Sequence, residues 1–159
     1  MCGLSGEINH DGRPADADAL QRMTEALARR GPDGAGMVLQ GSVGLGHRRL
    51  KIIDLSEKAQ QPMVDPELGI TLVFNGCLYN YPELRQELQG LGYRFFSEGD
   101  TEVIIKAWKA WGETCVDRFK GMFAFVLHER DSGRTVMARD RFGIKPLYLA
   151  EKGKRLRFA

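Results

Sequence analysis

The chain has 159 residues, 43% hydrophobic and 28% charged, and its 23 lysines and arginines against 21 aspartates and glutamates leave a formal net charge of +2. That is the balance of one ordinary globular domain, able to bury roughly 70% of its unfolded surface, and it offers no charge excess that would draw it to nucleic acid or a membrane surface. No basic segment leads into an apolar export core and no apolar run approaches about 18 residues, so neither secretion nor membrane spanning is expected.

Leu4 to Ile8 reads as a short strand, and Asp11-Gly12 turns the chain toward Asp16-Ala17-Asp18, acidic residues suited to a helix start. Leu20, Met23 and Leu27 then share a helical face, and Arg29-Arg30-Gly31-Pro32 closes the segment. Short β-like runs follow at 36–40, 43–47 and 50–55, and 56–69 reads as a loop. Ile70 to Phe74 is a buried strand that the pattern ends at Asn75-Gly76, a pair that favours sharp turns. Asn80 and Pro82 are placed to start a helix carrying Leu84, Leu88 and Leu91, closed by Gly92; Tyr93 to Phe96 reads as another strand. Asp100 opens a helix whose apolar stripe of Val103, Ile104, Ala107, Trp108 and Trp111 is core-like. Met122 to Leu127 is a central strand that turns at Asp131-Ser132-Gly133 into Thr135 to Ala138, Pro146 to Leu149 is a further strand, and a turn at 152–154 starts one more hairpin. That last β-like segment is still running at Arg157-Phe158-Ala159, as expected of a piece cut from a longer protein. Short strands in hairpins with three helical segments make an α+β layered fold, and the absence of GxGxxG and GxxxxGK[ST] argues against a nucleotide-binding one.

The second residue is a cysteine, within Met1-Cys2-Gly3-Leu4-Ser5-Gly6. If Met1 is trimmed, one residue carries both a thiol and a free α-amine. A free thiol is largely protonated at neutral pH, whereas an α-amine of reference pKa about 7.7 to 8.0 holds a usable unprotonated fraction and can accept its proton. On position alone, Cys2 could equally be a small buried residue of the first strand. Three cysteines, at 2, 77 and 115, are odd in number and lack CxxC spacing, which speaks against a disulfide framework or a metal site and for a reducing, cytoplasmic setting. His10, His47 and His128 show no metal-pair or Cys-His spacing.

Six segments in order, MCGLSGEI at the start, RRGPDG at 29–34, GHRRLKIIDL at 46–55, FNGCLYNY at 74–81, EGDTEVI at 98–104 and RDRFGIKPLY at 139–148, closely resemble one family over essentially the whole chain. It is the class II glutamine amidotransferase domain, in particular the N-terminal glutaminase half of asparagine synthetase-like proteins. The resemblance implies an N-terminal nucleophile hydrolase fold, two stacked antiparallel sheets flanked by helices. It implies that Cys2 attacks the side-chain amide of L-glutamine and that Asn75 and Gly76 supply the oxyanion donors, although alone that pair reads as an Asn-Gly turn. By the same match Arg49 takes the glutamine carboxylate, with Arg48 as competitor, and Leu50, Ile52 and Ile53 line the pocket, Ile52 being the favoured contact. Asp100 takes the ammonium, where the residues alone also allow a helix cap.

One position departs from the family. Cys77 stands where it usually has glutamate, so Asp100 is left to hold the ammonium largely alone unless Glu98 or Glu102 completes the pocket. The domain itself is expected to need no cofactor. ATP and magnesium are implied only for a C-terminal synthetase domain outside this sequence, which would receive the ammonia. Two alternatives are a non-catalytic glutamine-binding domain of the same fold and the glutaminase of a sugar- or nucleotide-forming amidotransferase.

Overall fold

A computed structural model describes residues 2–159. Two antiparallel sheets form the body. The five-stranded sheet runs in the order β2 (Gly34–Gln40), β3 (Val43–Arg49), β1 (Gly3–Asn9), β9 (Arg155–Phe158), β8 (Leu149–Lys152). The four-stranded sheet runs β4 (Met63–Asp65), β5 (Ile70–Leu78), β6 (Gly121–Glu129), β7 (Thr135–Arg139).

Alternation along the strands sorts the side chains into layers. Leu4, Val43, Leu45 and Phe158 of one sheet meet Val73, Ala124 and Val126 of the other, and this apolar layer lies between the sheets. On the far face of the four-stranded sheet, Leu72, Phe74, Phe125 and Leu127 pack against helices α2 (Tyr81–Gly90) and α3 (Asp100–Trp111). Helix α1 (Ala17–Ala26) covers the outer face of the five-stranded sheet, its first turn capped by Asp16, whose carboxylate accepts the Ala19 N–H at 3.0 Å. The helix rides so close that a Cβ on Gly46 of β3 would fall 2.2 Å from Thr24 Oγ1. A short helix, α4 (Cys115–Arg118), completes the α-helices among the described residues, and the layers stack helix, sheet, sheet, helix.

Several expected elements differ. Residues 50–55 form no strand: the Arg49 guanidinium donates to the carbonyls of Asp54 and Ser56, and the Asp54 carboxylate accepts the N–H of Ser56 and of Glu98, each at 2.8 Å, so the segment curls into a loop. Residues 93–96 are not a strand either, because the N–H groups of Phe96 and Ser97 are taken by the Glu102 carboxylate. The loop expected over 56–69 contains β4, and the strand expected at 146–149 begins only at Leu149. Asn75-Gly76 is no turn, since β5 continues to Leu78 and stays in register with β6. Asn80 does not cap α2; its carboxamide bridges the Arg118 carbonyl and the Lys120 N–H.

Candidate active site

The strands' inward rows lose their apolar character at one end of the sandwich. In phase with Leu4 lies Cys2; in phase with Leu45 lie His47 and Arg49; in phase with Val73 lie Asn75 and Cys77. Where these rows stop being apolar the sheets enclose a cleft of about 220 Å³. Cys2, Arg49, Asn75, Gly76, Cys77 and Asp100 all line it, so residues far apart in the chain come to one place. Leu50, Ile52 and Ile53 of the curled loop form part of its wall. Ile52, expected as the favoured contact, is 70% exposed.

The Cys2 sulfur rests on the Leu50 peptide, accepting its N–H at 3.3 Å and donating to its carbonyl at 3.6 Å. The Cys2 carbonyl is held by Arg30 Nε at 3.2 Å, which ties the RRGPDG segment to the chain start. Removal of Met1, and with it the free α-amine, lies outside the described residues.

The orientation of the Gly76 N–H follows from register. Gly76 faces Phe123, but Phe123 spends its N–H on the Asp140 carboxylate at 3.1 Å and its carbonyl on the Asp140 N–H at 2.7 Å, on the β7 side. Gly76 and Phe123 are therefore a non-hydrogen-bonded pair, and the Gly76 N–H points away from β6, along the edge that borders the cleft. A side chain is not tolerated here for a reason opposite to substrate access: a Cβ would sit on the other face, 2.3 Å from the Met122 carbonyl oxygen.

Two of the five guanidinium donors of Arg49 serve the loop carbonyls described above, and the side chain is 4% exposed. Arg48 is turned elsewhere, its Nε on the Gly31 carbonyl at 3.1 Å. Asp100 is the first residue of α3 but does not cap it. Its carboxylate accepts the Leu78 N–H at 3.0 Å, and burial pushes its pKa up to about 6, against the lowering effect of that bond and of the N–H groups of Asp100 and Thr101. Burial and the nearby Asp100 charge raise the Cys77 thiol, with Lys145 opposing, so Cys77 stays a neutral group at the cleft wall. Burial also works against the Asp54 charge, but hydrogen bonds from Ser56 and Glu98 and the Arg49 charge hold its carboxyl below the usual range.

Neither Glu98 nor Glu102 completes the cleft. The Glu98 side chain is 90% exposed, and Glu102 is turned to the loop before α3. Four polar cleft residues escaped the sequence reading: Asp54, Gln61, Thr101 and Lys145. Lys145 had a signal, since it stands within RDRFGIKPLY. The Asp140 carboxylate accepts the N–H groups of Ile144 and Lys145, folding that turn so that Lys145 reaches the cleft.

The sequence profile of the family described as glutamine amidotransferase domain matches residues 1–159. The chain belongs to that family. It is 35% identical over 161 residues to the glutamine-hydrolyzing asparagine synthetase 3 of Bacillus subtilis, an alignment covering 99% of this chain and 26% of the relative. It is 38% identical over 160 residues to amidase chry2 of Gibberella zeae, covering 93% of this chain and 24% of the relative. The amidotransferase domain thus spans about a quarter of the length of these relatives. In fold it superposes on glutamine phosphoribosylpyrophosphate amidotransferase from B. subtilis with a TM-score of 0.81 at 21% identity, over 99% of this chain and 41% of the other. The two antiparallel sheets with helices on both outer faces are the arrangement of the N-terminal nucleophile hydrolase fold. Among the described residues no helix is long and apolar enough to cross a membrane.

Proposed function

We propose that this amidotransferase domain hydrolyses L-glutamine to glutamate and ammonia through a γ-glutamyl thioester on Cys2. The α-amine freed by removal of Met1 takes the thiol proton as the sulfur attacks the amide carbon, and returns it to the departing ammonia. Water then cleaves the thioester, releasing glutamate and restoring the thiol. Both tetrahedral intermediates carry an oxyanion, which the Gly76 N–H and the Asn75 carboxamide stabilise; one such donor is typically worth about 2.7 to 4 kcal/mol of barrier. Arg49 pairs with the substrate carboxylate and Asp100 with its ammonium.

The observation that carries this reading is the shared cleft, in which the Cys2 thiol and the Gly76 edge of β5 line one cavity with a buried arginine and a buried aspartate. We further propose, from the names and lengths of the relatives, that the ammonia passes to an ATP- and magnesium-dependent amide-forming domain in a cytoplasmic parent protein. Ammonia release from glutamine by Met-trimmed protein tests the first proposal. Turnover that disappears in Cys2→Ala supports it; glutamine binding without turnover in the trimmed protein would instead make this a sensor domain.

A further inference from the structure

The edge of β5 that borders the cleft is held by side chains rather than by a strand. β4 pairs with β5 as far as Met63 opposite Leu72, and the same register would bring Gln61 opposite Phe74. Pro62 lies between, and the Gln61 backbone has turned off toward β2, where its carbonyl oxygen would lie 2.4 Å from a Cβ on Gly36. The Gln61 side chain takes the missing place: its Oε1 accepts the Phe74 N–H at 2.6 Å, and its Nε2 faces Thr101 Oγ1 at 3.4 Å. The other half of the same peptide row is held from the opposite sheet. His47 Nε2 lies 3.0 Å from the Phe74 carbonyl, an acceptor, so the imidazole donates from Nε2.

His47 is fully buried, and burial lowers its pKa to about 4, so the ring is neutral and Nδ1 is a bare acceptor. That Nδ1 has no hydrogen-bond partner among the described residues. An orphaned interior acceptor opposes folding, which singles out the Phe74 contact as what the ring is there to make. Four residues on, the Leu78 N–H is held by Asp100. The row therefore reads Phe74 clamped, Gly76 open to the cleft, Leu78 clamped.

We infer that Gln61 and His47 are positioning residues that stand in for the absent strand beside Phe74 and thereby aim the Asn75 carboxamide and the Gly76 N–H into the cleft. This rests on the glutaminase reading above. An oxyanion donor acts on the transition state, so a misaimed one lowers kcat and leaves KM alone.

The test compares Gln61→Met, which keeps length and bulk without the carbonyl acceptor, with Gln61→Glu, which restores an acceptor oxygen. His47→Leu and His47→Gln do the same for the donor. Each is assayed for kcat and KM with glutamine, for melting temperature, and by NMR for the Asn75 and Gly76 backbone amides. Gln61→Met is expected to lose about 100-fold in kcat, as a misplacement near 1 Å would cost. KM should stay within about 2-fold, the Gly76 amide signal should move, and Gln61→Glu should recover most of the kcat. Unchanged kcat in Gln61→Met, or a loss not relieved in Gln61→Glu that tracks melting temperature while the Gly76 signal stays put, overturns the inference. If the wild-type protein releases no ammonia, the glutaminase reading falls, and the Gly76 amide signal still decides whether Gln61 holds this edge.

Discussion

Asp100 and Glu102 stand two residues apart on α3, both shut off from solvent, at 5% and 0% exposure. Glu102 faces away from the cleft and its oxygens are fully engaged: Phe96 N–H at 3.0 Å, Ser97 N–H and Ser97 Oγ each at 2.7 Å, and Lys106 at 3.6 Å, which itself reaches Asp65 at 2.5 Å. Asp100 faces the cleft; its carboxylate accepts the Leu78 N–H at 3.0 Å, with lesser support from the N–H groups of Asp100 and Thr101, and burial holds its pKa up near 6. The contrast teaches that burial of charge does not mark function. Glu102, its oxygens spent on backbone and on Lys106, is scaffold; Asp100, facing a cavity, is on the reading proposed above the partner of the substrate ammonium.

Mutation of the scaffold side should cost stability. Glu102→Ala strips the Phe96 and Ser97 donors and breaks the pairing with Lys106, and an expected loss of about 3–5 kcal/mol is measurable by urea unfolding. A loss below about 1 kcal/mol, in the range of an exposed pair, would dissolve the contrast. Asp100→Asn should do the reverse. With its native pKa raised to about 6 from 3.8, Asp100 binds its proton more tightly in the fold than in the unfolded chain, so the unliganded protein loses stability as pH rises through that window. Removing the charge should return up to about 3 kcal/mol at pH 7, while KM for glutamine rises about 30-fold, as expected for a lost charged hydrogen bond. Below its pKa the same group should steepen the fall of kcat/KM that protonation of the Cys2 α-amine already imposes, from about tenfold to about a hundredfold per pH unit, as the ammonium's partner is protonated; a slope that stays near tenfold down to about pH 5 would contradict the assignment. The smallest effect belongs to Cys77→Glu, which adds a second carboxylate near the ammonium and should lower KM about 5-fold, or about 1 kcal/mol. An unchanged or higher KM would show that Asp100 alone suffices.

The fold's layers were legible because alternation writes each strand's buried face into the sequence, and Leu4, Leu45 and Val73 carry it. What was not legible had side chains bonding to backbone in place of strands. The run Leu50 to Leu55 has strand composition, yet Arg49 binds the Asp54 and Ser56 carbonyls and the Asp54 carboxylate takes the Ser56 N–H, which bends the run into the cleft wall. Phe95 and Phe96 suit a strand, but Glu102 from the next helix takes the N–H groups that a strand would need. At the site, Cys2, Arg49, Asn75, Gly76 and Asp100 were readable through the co-linear motifs. Gln61 was not, because a glutamine before a proline in a polar loop carries no local sign that its amide will serve a strand thirteen residues on. The Asn75-Gly76 pair misled for a related reason. Its turn propensity is overridden by nine consecutive register pairs with β6, from Ile70 to Leu78.

On the proposed mechanism the sulfur of Cys2, on a chain freed of Met1, becomes acylated by glutamine. The direct measurement is the mass of the N-terminal peptide from protein quenched in acid during turnover. The account predicts a peptide that begins at Cys2 and carries one glutamyl group on sulfur, gained with glutamine and lost as it is consumed. A peptide that retains Met1 in active protein, or steady ammonia release with Cys2 unmodified and with Cys2→Ala still active, would contradict it.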